Sequence, residues 1–257
     1  MTPRAPDFSL RLARTADDRR AAARLRYQVF VEELGGDGPL VDHAQRLEQD
    51  AFDPLYDHMI LLDRARADDV AGQIVGVYRL MLGANLPVGQ RFYSDDEYDL
   101  SVLRTSGRRL LELGRSCVHA DYRGGTAMHE LWQGLAAYVV HHKVEVMFGV
   151  ASFHGTDVST LAAPLSLLHH RHLAPPDLRV RAVDGAFQRM DLLPEAHLDR
   201  RAAMVQVPAL IKAYLRLGGF VGEGAFIDHA FNTTDVCLVM DTRRLGAAAL
   251  RYTNGRT

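Results

Sequence analysis

Residues 109–153 constrain the fold most. Residues 109–118 read as a strand, followed by the loop His119-Ala-Asp-Tyr-Arg-Gly-Gly125. Beyond it Met128, Leu131, Trp132, Leu135 and Val139 recur at spacings of 3, 1, 3 and 4, the signature of an amphipathic helix. Residues 146–153 are a short, almost wholly apolar run of the sort that fills a central strand. Strand, helix and central strand in this order call for a sheet with helices packed on it.

The flanking sequence extends the same pattern. Residues 9–13 alternate as a strand and lead into Thr15-Ala-Asp-Asp18, a capping box. The helix it opens carries Ala23, Tyr27, Phe30 and Leu34 beside Ala22, Leu25 and Val29, and Gly35-Gly36 stops it. Residues 57–63 and 73–82 are two further strands joined by a polar turn, and residues 83–107 form an irregular loop or insertion. A helix is predicted over 158–170 despite Pro164, and another from Pro208 to Gly218-Gly219. Strands at 220–227 and 235–241 complete the sheet. The expectation is one α/β domain over 1–257, with a mixed central sheet and helices on both faces.

At 47% hydrophobic and 24% charged residues, the composition is that of an ordinary soluble globular protein. The longest apolar runs are far too short to cross a bilayer, and no charged-then-apolar leader opens the chain, so a cytoplasmic home is expected. Cys117 and Cys237 lack ligand spacing and read as reduced, buried small hydrophobes. The net charge of −2 hides clusters of opposite sign. Arginines gather at Arg104, Arg108, Arg109, Arg115 and Arg123, and acids at residues 48–57 and 95–99.

Two constellations can carry chemistry. In Arg123-Gly124-Gly125-Thr126-Ala127, glycines before a helix let an anion approach free backbone N–H groups. The same turn also serves as plain structure. In Glu112-Leu-Gly-Arg115 a carboxylate and a guanidinium on an interior strand need each other or a ligand, because burying either alone is costly. Glu112 is the candidate general base: an amine nucleophile is mostly protonated near neutrality, and desolvation raises a carboxyl's pKa toward that task. Arg115 and Arg79 orient acids or bind substrate. Asp50, Asp53 and Asp57 are a solvated face or a binding element. His154, at the end of a central strand, holds a leaving thiolate or an amine, or is a surface residue. His169-His170-Arg-His172 has no spacing that completes a metal site, so no metal is expected.

These pieces resemble the GNAT superfamily of N-acyltransferases. Arg26-Tyr-Gln-Val-Phe30, Glu48-Gln-Asp50-Ala-Phe-Asp53 with Asp57-His58, Gly76-Val-Tyr-Arg79 and Glu112-Leu-Gly-Arg115 are similar to motifs of acyl-homoserine-lactone autoinducer synthases. Glu112-Leu-Gly-Arg-Ser-Cys-Val118, Phe148-Gly-Val-Ala-Ser-Phe-His-Gly-Thr-Asp157, Pro208-Ala-Leu-Ile-Lys-Ala-Tyr-Leu-Arg-Leu-Gly218 and Phe231-Asn-Thr-Thr-Asp235, with Asp228, resemble the ornithine lipid synthases more closely. The resemblance spans residues 25–241.

It implies transfer of a 3-hydroxyacyl chain from a thioester to the alpha-amino group of L-ornithine, yielding a lyso-ornithine lipid. The implied catalytic residues are Glu112, Arg115 and His154. Arg26, Asp50, Asp53, Asp57, Arg79, Ser152 and Phe153 are the implied substrate-binding residues. Val118, Arg123, Gly124, Gly125, Thr126 and Ala127 would receive phosphopantetheine, in the groove where two strands splay. Tyr122 stands where the superfamily's phosphate loop has Gln or Arg. That departure agrees with a donor on acyl carrier protein, whose arm carries one phosphodiester, rather than with coenzyme A. Acyl carrier proteins are acidic, so Arg104, Arg108, Arg109 and Arg123 are candidate docking residues. A soluble enzyme releasing an amphiphile would touch the membrane surface transiently. The rival expectations are autoinducer synthesis and a non-catalytic acyl-carrier-binding module.

Overall fold

The Thr15 capping box is present in the computed structural model, which describes residues 5–244. The Thr15 hydroxyl accepts from the Asp18 amide, and the Asp18 carboxylate accepts from the Thr15 N–H. Along the chain the elements are β1 (Phe8–Leu12), α1 (Ala16–Arg26), β2 (Asp57–Asp63), α2 (Val70–Gln73), β3 (Ile74–Leu82), β4 (Tyr98–Asp99), α3 (Ser101–Thr105), β5 (Leu110–Val118) and α4 (Ala127–His141). They continue as β6 (Val146–His154), α5 (Ala162–His172), β7 (Arg181–Ala182), β8 (Phe187–Gln188), α6 (Arg200–Gln206), α7 (Ala209–Arg216), β9 (Phe220–Val221), β10 (Ala225–Asp228) and β11 (Thr233–Asp241). Contacts divide the described residues into two compact units, 5–81 with 113–142, and 82–112 with 143–244.

In the first unit, β1 and β3 both run antiparallel to β2. Side-chain alternation along β2 sorts its apolar residues by face. Ile60 and Leu62 join Ala21, Ala22 and Leu25 of α1, and Val29 just beyond it, in one buried cluster with Val77 and Cys117. Met59 and Leu61 point to the other face, where α4 lies: Gly134 abuts Leu10 and Met59, and Leu131 sits beside Gly76 and Leu61. Helices therefore cover both faces of this sheet. The helix predicted to run regularly to Leu34 instead becomes a π-helix over Tyr27–Glu33 before ending at Gly35. Two turns of apolar residues do not separate a period of 3.6 from the wider i→i+5 winding.

The pairing in the second unit is mixed. Leu110, Leu111 and Glu112 pair in parallel with Val146, Met147 and Phe148. From Val146↔Asp241 to His154↔Thr233, β6 is antiparallel to β11, which also pairs with β9 and β10. Residues 83–107 are more ordered than their sequence suggests, with a 3₁₀ turn at Tyr93–Asp96, then β4 and α3. β4 pairs with β7, and the buried Tyr98 hydroxyl lies within hydrogen-bond distance of the Gly224 and Asp235 carbonyls. Elements of two to five residues are too short to register as a period. The helix α5 starts at Ala162 rather than at 158, which puts Pro164 in the first turn, where its missing N–H costs nothing. The helix α6, capped by Asp199, has no counterpart in the sequence reading.

The single strand predicted over 220–227 is split into β9 and β10 by the turn through Gly224. Gly224 has φ +76, and a Cβ there would meet the Phe187 ring at 2.2 Å. Gly224→Ala is therefore expected to combine backbone strain with overpacking and to destabilise by about 1–3 kcal/mol. Urea unfolding should show a lower midpoint with an unchanged slope. A wild-type midpoint would refute this reading of the turn.

Candidate active site

Arg26, in the last turn of α1, is fully buried, and so is Arg79 on β3. A guanidinium without partners there would be intolerable. Arg26 grips Asp53 with two bonds of 2.7 and 2.8 Å and donates Nε–H to Glu48. Glu48 accepts from Arg115 at 3.0 Å, and Arg115 reaches Asp50 at 3.2 Å. Asp50 accepts from Arg79 at 2.7 Å, and Arg79 returns to Asp53 at 2.8 Å. The six residues thus close a ring of alternating charge, three arginines against three carboxylates, wholly within the first unit.

Burial pushes the Glu48, Asp50 and Asp53 carboxyls up, but the arginines more than reverse this and hold all three below the ordinary carboxylate range. Burial pulls the Arg79 pKa down, as do Arg115 and Arg26, against the opposing pull of Asp50 and Asp53. The Tyr56 ring lies 4.6 Å from the Arg79 guanidinium. His58 donates Nε2–H to the Asp53 carbonyl, and burial lowers its pKa, so its ring is neutral.

Arg26, Arg79 and Glu48 form the floor of the ring. Arg115, Asp50 and Asp53 form its rim, with 14%, 19% and 17% of their side chains exposed. Arg115 sits within β5 at φ +48, a left-handed conformation that is uncommon for a residue with a side chain and is often found where function demands it. Asp57 stands apart from the ring, accepting instead from the Tyr138 hydroxyl at 2.7 Å.

In the second unit the Glu112 side chain is buried, and its oxygens accept backbone N–H bonds from Ser94 at 2.6 Å and Tyr93 at 3.1 Å. Two amides aimed at the carboxylate suit its anionic form. The parallel ladder ends at Glu112↔Phe148, and Phe92 packs edge-on against Phe148 with centroids 5.1 Å apart. Alternation places Val150, Ser152 and His154 on the face of Phe148, with Ser152 and His154 exposed and Phe153 buried behind. Six residues of strand at about 3.3 Å each separate the levels of Phe148 and His154 by roughly 20 Å. His154 is thus not brought within proton-transfer reach of Glu112.

The loop before α4 lies in the first unit. Gly124 has φ +76, and Thr126 at the N-cap makes no side-chain capping bond, so the first-turn amides of α4 point outward without a cap. Arg123 pairs with Glu33 at 2.6 Å and donates to the carbonyl of the buried Val118. Of the other candidate docking arginines, Arg108 is tied to Asp241, Arg104 to Asp95, and Arg109 donates to the Lys143 carbonyl. Burial pushes the Cys117 thiol up to about 12, which makes it inert. Among the described residues no group of three His, Cys, Asp or Glu is placed to hold a metal ion. Sequence reasoning missed Glu48, Tyr56 and His58 as site members, although Glu48 lies in the same acidic motif as Asp50 and Asp53.

Residues 25–133 match the family model described as "Acetyltransferase (GNAT) domain". The chain is 61% identical over 238 residues, covering 93% of it and 91% of the relative, to an L-ornithine N(alpha)-acyltransferase of Rhodobacter capsulatus. It is 41% identical, over 95% of its length and 88% of the relative's, to an L-ornithine N(alpha)-acyltransferase of Brucella abortus. Among solved structures, it is similar in fold to FeeM, an N-acyl amino acid synthase from uncultured soil microbes. That match has a TM-score of 0.52 at 11% identity and covers 96% and 99% of the two chains.

The charge ring predicts its own response to mutation and to acid. Asp53→Asn leaves Arg26 and Arg79 short of a counter-charge and should cost about 3–5 kcal/mol, measured by chemical denaturation. The unfolded chain takes up the carboxylate protons at higher pH than the folded one, so this stability is complete above the ordinary carboxylate range and is lost as pH falls below about 4. A flat stability profile down to acid would contradict the ring.

Proposed function

The chain belongs to the L-ornithine N(alpha)-acyltransferase family of the GNAT fold, and on that premise we propose that it acylates the alpha-amino group of L-ornithine with a 3-hydroxyacyl chain. The acyl group arrives as a thioester on the phosphopantetheine arm of acyl carrier protein. The amide product is a lyso-ornithine lipid. The observation that carries this reading is 61% identity, maintained over nearly the whole chain, to an enzyme of that name.

Glu112 is the general base. It accepts a proton from the ammonium of the acceptor, directly or through one water, and the freed amine attacks the thioester carbonyl. A C–N bond forms, the C–S bond breaks, and the thiolate leaves and is protonated. Strand amides of β6 beyond Phe148, where the ladder with β5 ends, polarise the carbonyl. The pantetheine arm follows Val118 toward Gly124, Gly125, Thr126 and Ala127. Arg115 and Asp50 on the rim of the charge ring receive the alpha-carboxylate and the side-chain ammonium, and Arg26, Arg79 and Asp53 hold them in place. Ser152 and His154 line the path of the acyl chain rather than exchange protons with Glu112. The product is an amphiphile, so its release brings the enzyme transiently to a membrane surface. No described helix is long and apolar enough to cross a membrane.

Glu112→Gln should lower turnover by about 10²–10⁴-fold without a loss of melting temperature. Ser94 separates the base's position from its chemistry. Its hydroxyl is buried with no hydrogen-bond partner among the described residues, so Ser94→Ala should retain activity. Ser94→Pro deletes the N–H that holds Glu112 and should lower kcat. Equal rates in these two variants would dismiss the amide cradle.

Mass spectrometry of products from purified enzyme, acyl carrier thioesters and a panel of amines tests the reaction itself. Asp50→Asn should reduce kcat/KM for ornithine by about 10–150-fold, the worth of a charge-assisted bond, and by far less for the uncharged analogue norvaline. Better use of S-adenosylmethionine than of ornithine, with a lactone as product, would replace the proposal by autoinducer synthesis.

A further inference from the structure

One face of α1 carries Ala21, Arg24 and Leu25 at i, i+3 and i+4, and Gln28 of the π-helix that follows lies beside them. Opposite it stand Gln45 and Arg46, the β2–β3 connection with Arg66, Ala71 and Gly72, and His119 just after β5. Together with Ile74 they line an open cavity of about 390 Å³, within the first unit, whose lining holds three arginines and no carboxylate. That volume is in the range of small-ligand sites.

Two of the arginines are held in place. Arg66 donates Nη2–H to His119 Nε2 at 2.9 Å, and its guanidinium lies 5.8 Å from the centre of the Tyr122 ring. The same His119 nitrogen lies 3.4 Å from the Gln28 amide nitrogen. His119 must be neutral at Nε2 to accept, and burial and Arg66 both lower its pKa. Arg46 has φ +56, pairs with Glu32, and stands 6.0 Å from the Tyr27 ring centre. Arg24 has no ion-pair partner among the described residues. The acids around the site are engaged or at its margin: Glu32 with Arg46, Glu33 with Arg123, Asp69 with the Gly72 amide, Asp42 with Gln45, and Asp121 at 3.6 Å from His119 Nδ1, largely exposed.

Tyr122 occupies the position where a phosphate loop of this type carries Gln or Arg. Its hydroxyl donates to Asp63 at 2.7 Å, and its ring supports Arg66. A cation from the β2–β3 connection thus stands near the ring that takes that position.

We propose that this cavity binds the phosphate of the donor's phosphopantetheine arm, with Arg24 and Arg66 as its principal charges and Arg46 and Gln28 as further donors. Guanidinium groups match phosphate oxygens in a planar, two-pronged fashion that no neutral lining provides. The identity of the ligand rests on the acyl-carrier reading above, whereas the anion site itself does not.

Calorimetry with free 4′-phosphopantetheine and with pantetheine tests the site directly on the full chain. The phosphorylated ligand should bind at least 10-fold more tightly, and Arg24→Gln and Arg66→Gln should each erase most of that difference while retaining the wild-type melting temperature. Arg66→Lys, which keeps the charge, should recover part of it. In acyl-transfer assays the Gln variants should raise KM for the acyl carrier far more than they lower kcat. Equal binding of pantetheine and phosphopantetheine, or full binding by an Arg24→Gln, Arg66→Gln double variant, would overturn the site. So would Gln variants that lose only their affinity for vesicles of anionic lipid. Normal acyl-ornithine formation alongside any of these results would leave the proposed reaction standing and reject this inference alone.

Discussion

The closed ring of Arg26, Glu48, Arg115, Asp50, Arg79 and Asp53 is the interaction on which the first unit depends. Four segments distant in sequence, the end of α1, the stretch 48–53 and the strands β3 and β5, supply its members, so the ring forms only when these segments are assembled. Its charges balance, three against three, which is why fully buried guanidinium groups are tolerated at all. A hydrophobic cluster of the same volume could stabilise as well. It would not fix the direction of Arg115 and Asp50, which the ring holds at its rim by bonds on both sides of each residue. The same network that holds the floor of the ring therefore also orients the groups at its exposed rim.

Legibility in the sequence followed the physics of each element. The strand over 57–63 and the helix beginning after Thr15 were readable because alternation and capping are local signals. The motif residues Arg26, Asp50, Asp53, Arg79 and Arg115 were recognisable as a set, and the structure joins all five in the ring. Asp57 belongs to the same acidic run yet bonds to Tyr138, a long-range choice that no spacing rule reveals. His154 reads as a candidate for the leaving thiolate or the amine because it ends a central strand, as Glu112 reads as the base on another. Position along the strand, which depends on where the β5–β6 ladder starts, separates them. The π-helix after Arg26 and the short elements of residues 83–107 escaped detection because their periods are too brief to leave a pattern.

Two places in the first unit suit anions, the outward first-turn amides of α4 and the arginine-lined cavity beside α1, yet they differ in kind. The first is a set of backbone dipoles that no substitution of a side chain removes, and the second is a set of side chains that can change singly. Arg123, the loop's own cation, is occupied by Glu33, and Tyr122 serves Arg66 as a support.

Glu112 is held by the amides of Tyr93 and Ser94, not by any neighbouring functional group of theirs. Main-chain donors are common to every residue except proline. The cradle is consequently indifferent to which functional groups stand at 93 and 94 but strict about count. One residue inserted or removed between Leu82 and Tyr93, or between Ser94 and Leu110, would shift which amides face the carboxylate, even with the buried Phe92 and Tyr98 left unchanged. What this carboxylate asks of its neighbours is a spacing, not a functional group.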